Sequence, residues 1–146
     1  MIAVRDEETL NILYPPENDR FFRLISYQEG GIIGWAVVLD SQMDNHKQFG
    51  NMRIGSIIDC LALPDGEYSV IRSATTFLVG RGVDMIVSNQ CHHEWGAALK
   101  VAGFLQGPSN FFFTPSPHLA DLIAPFDQQV HLAHLNRGDG DGPIHL

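Results

Sequence analysis

Leu61–Phe104, LALPDGEYSVIRSATTFLVGRGVDMIVSNQCHHEWGAALKVAGF, together with the preceding RIGSIIDC of residues 53–60, decides the fold. Arg53–Leu63 is mostly apolar and reads as a strand. Pro64-Asp65-Gly66 breaks it. Glu67–Gly80 follows, with Ile71, Ala74, Thr75 and Leu78 at helical spacing on one face. Gly80 and Gly82 end that helix. Met85–Ser88 is a short strand. His92–Ala102 is a second helix with Trp95, Ala98, Leu99 and Ala102 on one stripe. Gly103 stands where a left-handed helix cap belongs.

Upstream, Asp6–Leu13 reads as a short helix capped by Asp6 and ended by Pro15-Pro16. Phe21–Tyr27 is rich in β-formers. Gly30-Gly31 signals a hairpin, and Ile32–Leu39 (IIGWAVVL) returns, apolar enough to be buried on both faces. Ser41–Asn51 reads as a polar loop. Downstream, Phe111–Thr114 reads as a strand. Ser116-Pro117 opens a short helix through Ile123. Gln129–Leu135 is the last expected strand, and residues 137–146 are expected to fray. A hairpin start with a later strand–helix–strand unit implies a mixed sheet flanked by helices.

At 146 residues, the chain is one domain's worth. Its net charge of -8 and its nine Lys and Arg, scattered along the sequence, argue against nucleic acid and anionic membranes as partners. The spacing of its two cysteines, Cys60 and Cys91, suggests no disulfide framework. No apolar run reaches the roughly 18 residues a membrane span needs, and MIAVRDEETL has no signal-peptide pattern. The cytoplasm is the expected location.

The order of these elements, with the strand MIVSN and a helix closing on Gly103-Phe104, resembles the GCN5-related N-acetyltransferase (GNAT) superfamily over about residues 21–136. More narrowly, RDEETLNILY, IGSIIDCLALPD and LNRGDGDG are similar to the C-terminal half of longer bacterial acetyltransferase-like proteins. The resemblance implies an α/β (α+β) fold, a mixed twisted sheet of six to seven strands flanked by two main helices and one short helix. Residues 1–136 form the expected domain, without the usual N-terminal strand and helices. The resemblance also implies acetyl-CoA as cofactor. Its cleft would open between the two central parallel strands, Arg53–Leu63 and Met85–Ser88. Leu61, Ala62, Leu63, Arg72 and Asn89 are the cofactor-binding candidates.

The departures bear on the chemistry. The superfamily holds the cofactor's pyrophosphate on a glycine-rich loop at a helix start, where free amides and the dipole favour anions. Here only Gly66 lies in the turn, and Glu67 puts a carboxylate at the positive end of the helix. Leu99 stands where a tyrosine commonly protonates the departing thiolate. Asp59, inside an apolar strand, must be solvated, paired or pKa-shifted. It is read either as a structural carboxylate or as a base. His92 takes the place of an expected asparagine and could relay protons. Asp59 and His92 are thus the catalytic candidates for a divergent or truncated acyl-CoA N-acyltransferase-like domain. The other reading is a noncatalytic binding or dimerisation module.

No metal site is expected. Cys91-His92-His93-Glu94 are adjacent, and neighbours on a helix point about 100° apart. His131 and His134 are expected on opposite strand faces. Asp139 and Asp141 in GDGDG lack the distal glutamate of a calcium loop. Phe111-Phe112-Phe113 must expose an aromatic face unless helices cover both sides, which suggests a homodimer.

Overall fold

A computed structural model describes residues 2–47, 49–107 and 114–139. The chain opens with α1 (Glu7–Leu13), whose N-cap Asp6 accepts a hydrogen bond from the Thr9 amide at 2.8 Å. Three antiparallel strands follow: β1 (Phe21–Gln28), β2 (Gly31–His46) and β3 (Gly50–Ala62). Next come α2 (Glu67–Gly80), β4 (Met85–Ser88) and α3 (His93–Val101). Two short helices, α4 (Pro117–Leu122) and α5 (Phe126–Gln129), lead to 3-10 turns at Val130–Leu132 and Arg137–Asp139.

Among the described residues the sheet has four strands in the order β1-β2-β3-β4, with β4 parallel to β3. The expectation of six or seven is not met there. Phe111–Thr114 falls almost wholly outside the described residues, and the Phe111–Phe113 run with it. The expected strand Gln129–Leu135 is instead a 3-10 turn followed by isolated bridges, Ile2 to His134 and Gln90 to Asn136. His131 and His134 therefore do not alternate on one strand. The expected Ser41–Asn51 loop is also corrected. β2 runs on to His46, and β3 begins at Gly50. Two contacts extend the hairpin: Met43 is buried opposite Met52, and Asp40 takes a bidentate grip from Arg53 at 2.7 and 2.6 Å.

Alternation in the strands builds two apolar layers. One face of the sheet carries Ala36, Val38, Ile57 and Cys60 against Val70, Ile71, Ala74 and Leu78 of α2 and Trp95, Ala98 and Leu99 of α3. The other carries Val37, Leu39 and Ile58 against Tyr14, which follows α1. That β2 is buried on both faces follows from its run Ala36–Leu39. Gly103 adopts φ 93° and lets Phe104 fold back, its amide on the Leu99 carbonyl at 3.0 Å and its ring against the core.

The feature that shapes the site is a bulge. β2 pairs Val37 with Asp59 but Val38 with Ile57, so Ile58 is an extra residue in β3. β4 pairs with β3 only from Ile54 to Ile57. Beyond the bulge β3 continues to Ala62 while β4 has ended, and the two strands part.

Gly34 makes close packing beside this point possible. A Cβ there would lie 2.5 Å from the Leu61 carbonyl and 2.7 Å from Val70. Gly34→Ala is expected to cost about 1–3 kcal/mol in urea unfolding. Gly96→Ala, in open space on α3, should gain roughly 0.5–1 kcal/mol. Equal effects at the two sites would contradict this packing.

Candidate functional site

The site is the gap where β3 and β4 part. On one side β3 continues through Asp59–Ala62, and on the other the chain leaves β4 through Asn89–His92. Asp59 is fully buried. The bulge turns it toward α1, where the Tyr14 hydroxyl donates to Oδ2 at 3.0 Å. Asn136 donates its Nδ2 to Oδ1 at 2.6 Å. Arg5 brings Nε to 2.7 Å of Oδ2 and donates from Nη2 to Asp139 at 2.6 Å. The Arg5 Nε–H is not aligned as a hydrogen bond to the carboxylate, so this contact acts through charge. Among the described residues the carboxyl thus has three partners, all of them side chains. Burial pushes its pKa up, against the pull of Arg5, Asn136 and Tyr14. Burial and the neighbouring Asp59 charge push the Tyr14 phenol up as well, so it stays a donor.

Arg137–Asp139, expected to fray, form an ordered 3-10 turn at this cluster. The Asn136 side chain accepts from the Gly138 amide at 3.0 Å, and the Asn136 backbone N–H donates to the Asp139 carboxylate at 3.0 Å. A Cβ at Gly138 would overlap the Tyr14 hydroxyl, so the chain presses directly on the tyrosine.

His134 fills the gap from the same segment. It is buried beside the Cys60 backbone, accepts from Asn136 Nδ2 at 3.3 Å, and meets the Trp95 ring edge-on at 5.8 Å. Burial holds its pKa below the ordinary imidazole range. His92, the N-cap of α3, accepts from the Glu94 amide and stacks on His93 at 4.7 Å. Burial and then the His93 charge lower its pKa too. Its ring is 6.5 Å from that of His134. Among the described residues no hydrogen bond joins Asp59 to His92.

The cofactor candidates do not converge. Leu61 and Ala62 pair with Trp35 and Gly34 of β2. The Leu63 amide donates back to Ile33 at 2.8 Å, and its side chain is exposed. Asn89 lies on the opposite wall, half-buried. Arg72 is elsewhere, lining a shallow groove of about 550 Å³ with Arg23, Leu24 and Phe77 beside β1. α2 starts at Gly66 with no side-chain cap, and Glu67 sits in its first turn. Leu99 is a core residue of α3. Among the described residues no group of His, Cys, Asp and Glu is placed to hold a metal ion, and no helix is long and apolar enough to cross a membrane.

The fold recurs in solved structures. The aminoglycoside N-acetyltransferase AAC(6')-Iy, solved in complex with CoA, superposes with a TM-score of 0.52 at 15% identity, covering 67% of this chain and 78% of that one. The aminoglycoside 6'-N-acetyltransferase AAC(6')-IG from Acinetobacter haemolyticus gives 0.51 at 12% identity, over 75% and 78%. A tetramutant of the BH1408 protein from Bacillus halodurans gives 0.57 at 10%, over 77% and 76%. The chain has a GNAT-like acetyltransferase fold. No protein-family model matches this GNAT-like chain, and no curated protein matches its sequence. At these identities the likeness concerns the fold.

Arg5, Tyr14, His134, Asn136 and Asp139 were not singled out as site residues from sequence. One signal pointed to them: an aspartate in an apolar strand must have partners somewhere. Asp59→Ala leaves the Arg5 charge buried and is expected to cost about 3–5 kcal/mol. The double change Arg5→Met with Asp59→Leu should cost less than the single one, and urea unfolding of all three proteins checks this. A second expectation concerns pH. The unfolded chain protonates His134 near 6.5, and the folded chain only at lower pH. Its contribution to stability is therefore complete above the unfolded value and is lost as pH falls through the folded one. His92 acts in the same sense, whereas Asp59, with its raised pKa, contributes in the opposite sense at lower pH. Between pH 7.5 and 5.5 the wild type should lose more stability than His134→Gln; equal losses would contradict the assignment.

Proposed function

We propose that this chain is a divergent acyl-CoA N-acyltransferase-like domain in which acetyl-CoA binding is weak or lost. The observation that carries this reading is the start of α2. A diphosphate needs free amides and a positive helix end. Gly66 and Glu67 offer one glycine and a carboxylate, and Arg72, the nearest cation along the helix, lines the groove beside β1. The residues present therefore do not fit acetyl-CoA as they stand.

A noncatalytic binding module is the second reading. It is favoured by Asp59, whose carboxylate already holds Arg5, Tyr14 and Asn136. It is favoured too by Leu99, which has no proton to give a departing thiolate. Turnover of acetyl-CoA with a panel of amines separates the two readings, and its loss in His92→Ala with the melt retained would assign chemistry to His92.

Thermal melting with coenzyme A tests the first reading. A ligand at a hundredfold its Kd stabilises by about 2.7 kcal/mol. The wild type should show far less at the highest soluble concentration. Glu67→Gln should tighten binding roughly two- to fivefold, as a charge at a helix terminus commands. A full-size shift in the wild type, or a crystal with the diphosphate seated on Gly66–Ser69, would overturn the reading.

A further inference from the structure

We propose that residues 133–139 act as an internal strap that occupies the β3–β4 cleft in place of a ligand's extended amide-bearing arm. The strap's role rests on the acyl-CoA reading of the cleft. Past the bulge at Ile58, β3 runs on without β4 beside it. Such an edge offers backbone groups that an extended chain bearing amides can pair with. The pantetheine arm of coenzyme A is a chain of that kind.

In this protein the strap takes that place. Its backbone pairs with the segment that follows β4. Asn136 bridges Gln90 on the β4 side, and the Cys91 amide donates to the Leu135 carbonyl at 3.0 Å. Its side chains reach across to β3. Asn136 donates to Asp59 at 2.6 Å, and the buried His134 lies beside the Cys60 backbone. Its end is fastened by the Arg5–Asp139 ion pair at 2.6 Å, with Gly138 lodged against Tyr14. Ala133, His134, Arg137 and Gly138 are all buried. The contacts that hold the strap run to both walls of the cleft, so a ligand on the β3 edge and the strap exclude one another.

Occupation of the cleft and refusal of a diphosphate are separate properties, and a probe without phosphate separates them. Pantetheine is that probe. Asn136→Asp sets a second carboxylate against Asp59 and should release the strap while Arg5 and Tyr14 still hold the strand. His134→Ala is the milder opening and carries the test should Asn136→Asp lose its cooperative melt. The Cys91 amide reports opening directly, because its acceptor belongs to the strap.

We expect that amide to exchange at least tenfold faster in the variants. We also expect pantetheine to bind them at least tenfold more tightly than it binds the wild type. In the wild type, high pantetheine should itself accelerate Cys91 exchange. Opened variants that ignore pantetheine would overturn the strap, as would a wild type that binds it with Cys91 still protected. If both variants unfold, a wild type whose Cys91 exchange pantetheine leaves unchanged overturns it as well. Opened variants that take coenzyme A far more tightly than pantetheine would leave the strap standing and overturn the diphosphate argument at α2.

Discussion

One buried carboxylate ties the ends of this molecule to its middle. Asp59 lies inside a strand with no exposed surface, and an ion cannot rest there unaccompanied. Arg5 comes from the amino end, Tyr14 from the close of α1 and Asn136 from the carboxyl side. The Arg5–Asp139 ion pair joins two of these segments, and Asp59 brings all three to one point. The apolar layers stabilise the sheet, but they do not specify where the two ends must lie. The carboxylate does, and a buried ion pair serves position better than it serves stability.

The bulge at Ile58 is the second constraint, and the two are coupled. The extra residue changes which face each later residue presents, so Ile58 and Asp59 both lie on the α1 side. It also coincides with the last residue pair between β3 and β4. The same irregularity thus opens the gap and aims the carboxylate that helps close it. Up to this point β3 has a strand on each side; past it β3 keeps its ladder to β2, and Asn136 reaches it through a side chain.

How much of this the sequence disclosed depends on range. α2, β4 and α3 were legible almost to the residue, because Ile71, Ala74 and Leu78, or Trp95, Ala98 and Leu99, repeat at the helical period, and glycines punctuate the ends. Asp59 stood out because its chemistry disagrees with its neighbours. Its partners were hidden because nothing local in RDEETLNILY or LNRGDGDG says what those residues face. The hairpin beyond Leu39 was missed for a related reason. Nothing local in the sequence shows that Asp40 and Arg53, which flank the expected loop, hold one another, with Arg81 on the same carboxylate and over the Phe22 ring. The strand expected at Gln129–Leu135 failed the other way. Its composition suits a strand, but among the described residues it finds only isolated bridges.

The separation of Asp59 from Asn136, 77 residues along the chain, bears on the order of assembly. β1, β2 and β3 are joined by short turns and close small loops, whereas this bond closes a long one at greater entropic cost. A polypeptide emerging from the ribosome amino end first can pair its meander and dock both long helices before residue 136 exists. For that interval the nascent domain carries an open slot and a buried acid still short of one of its partners.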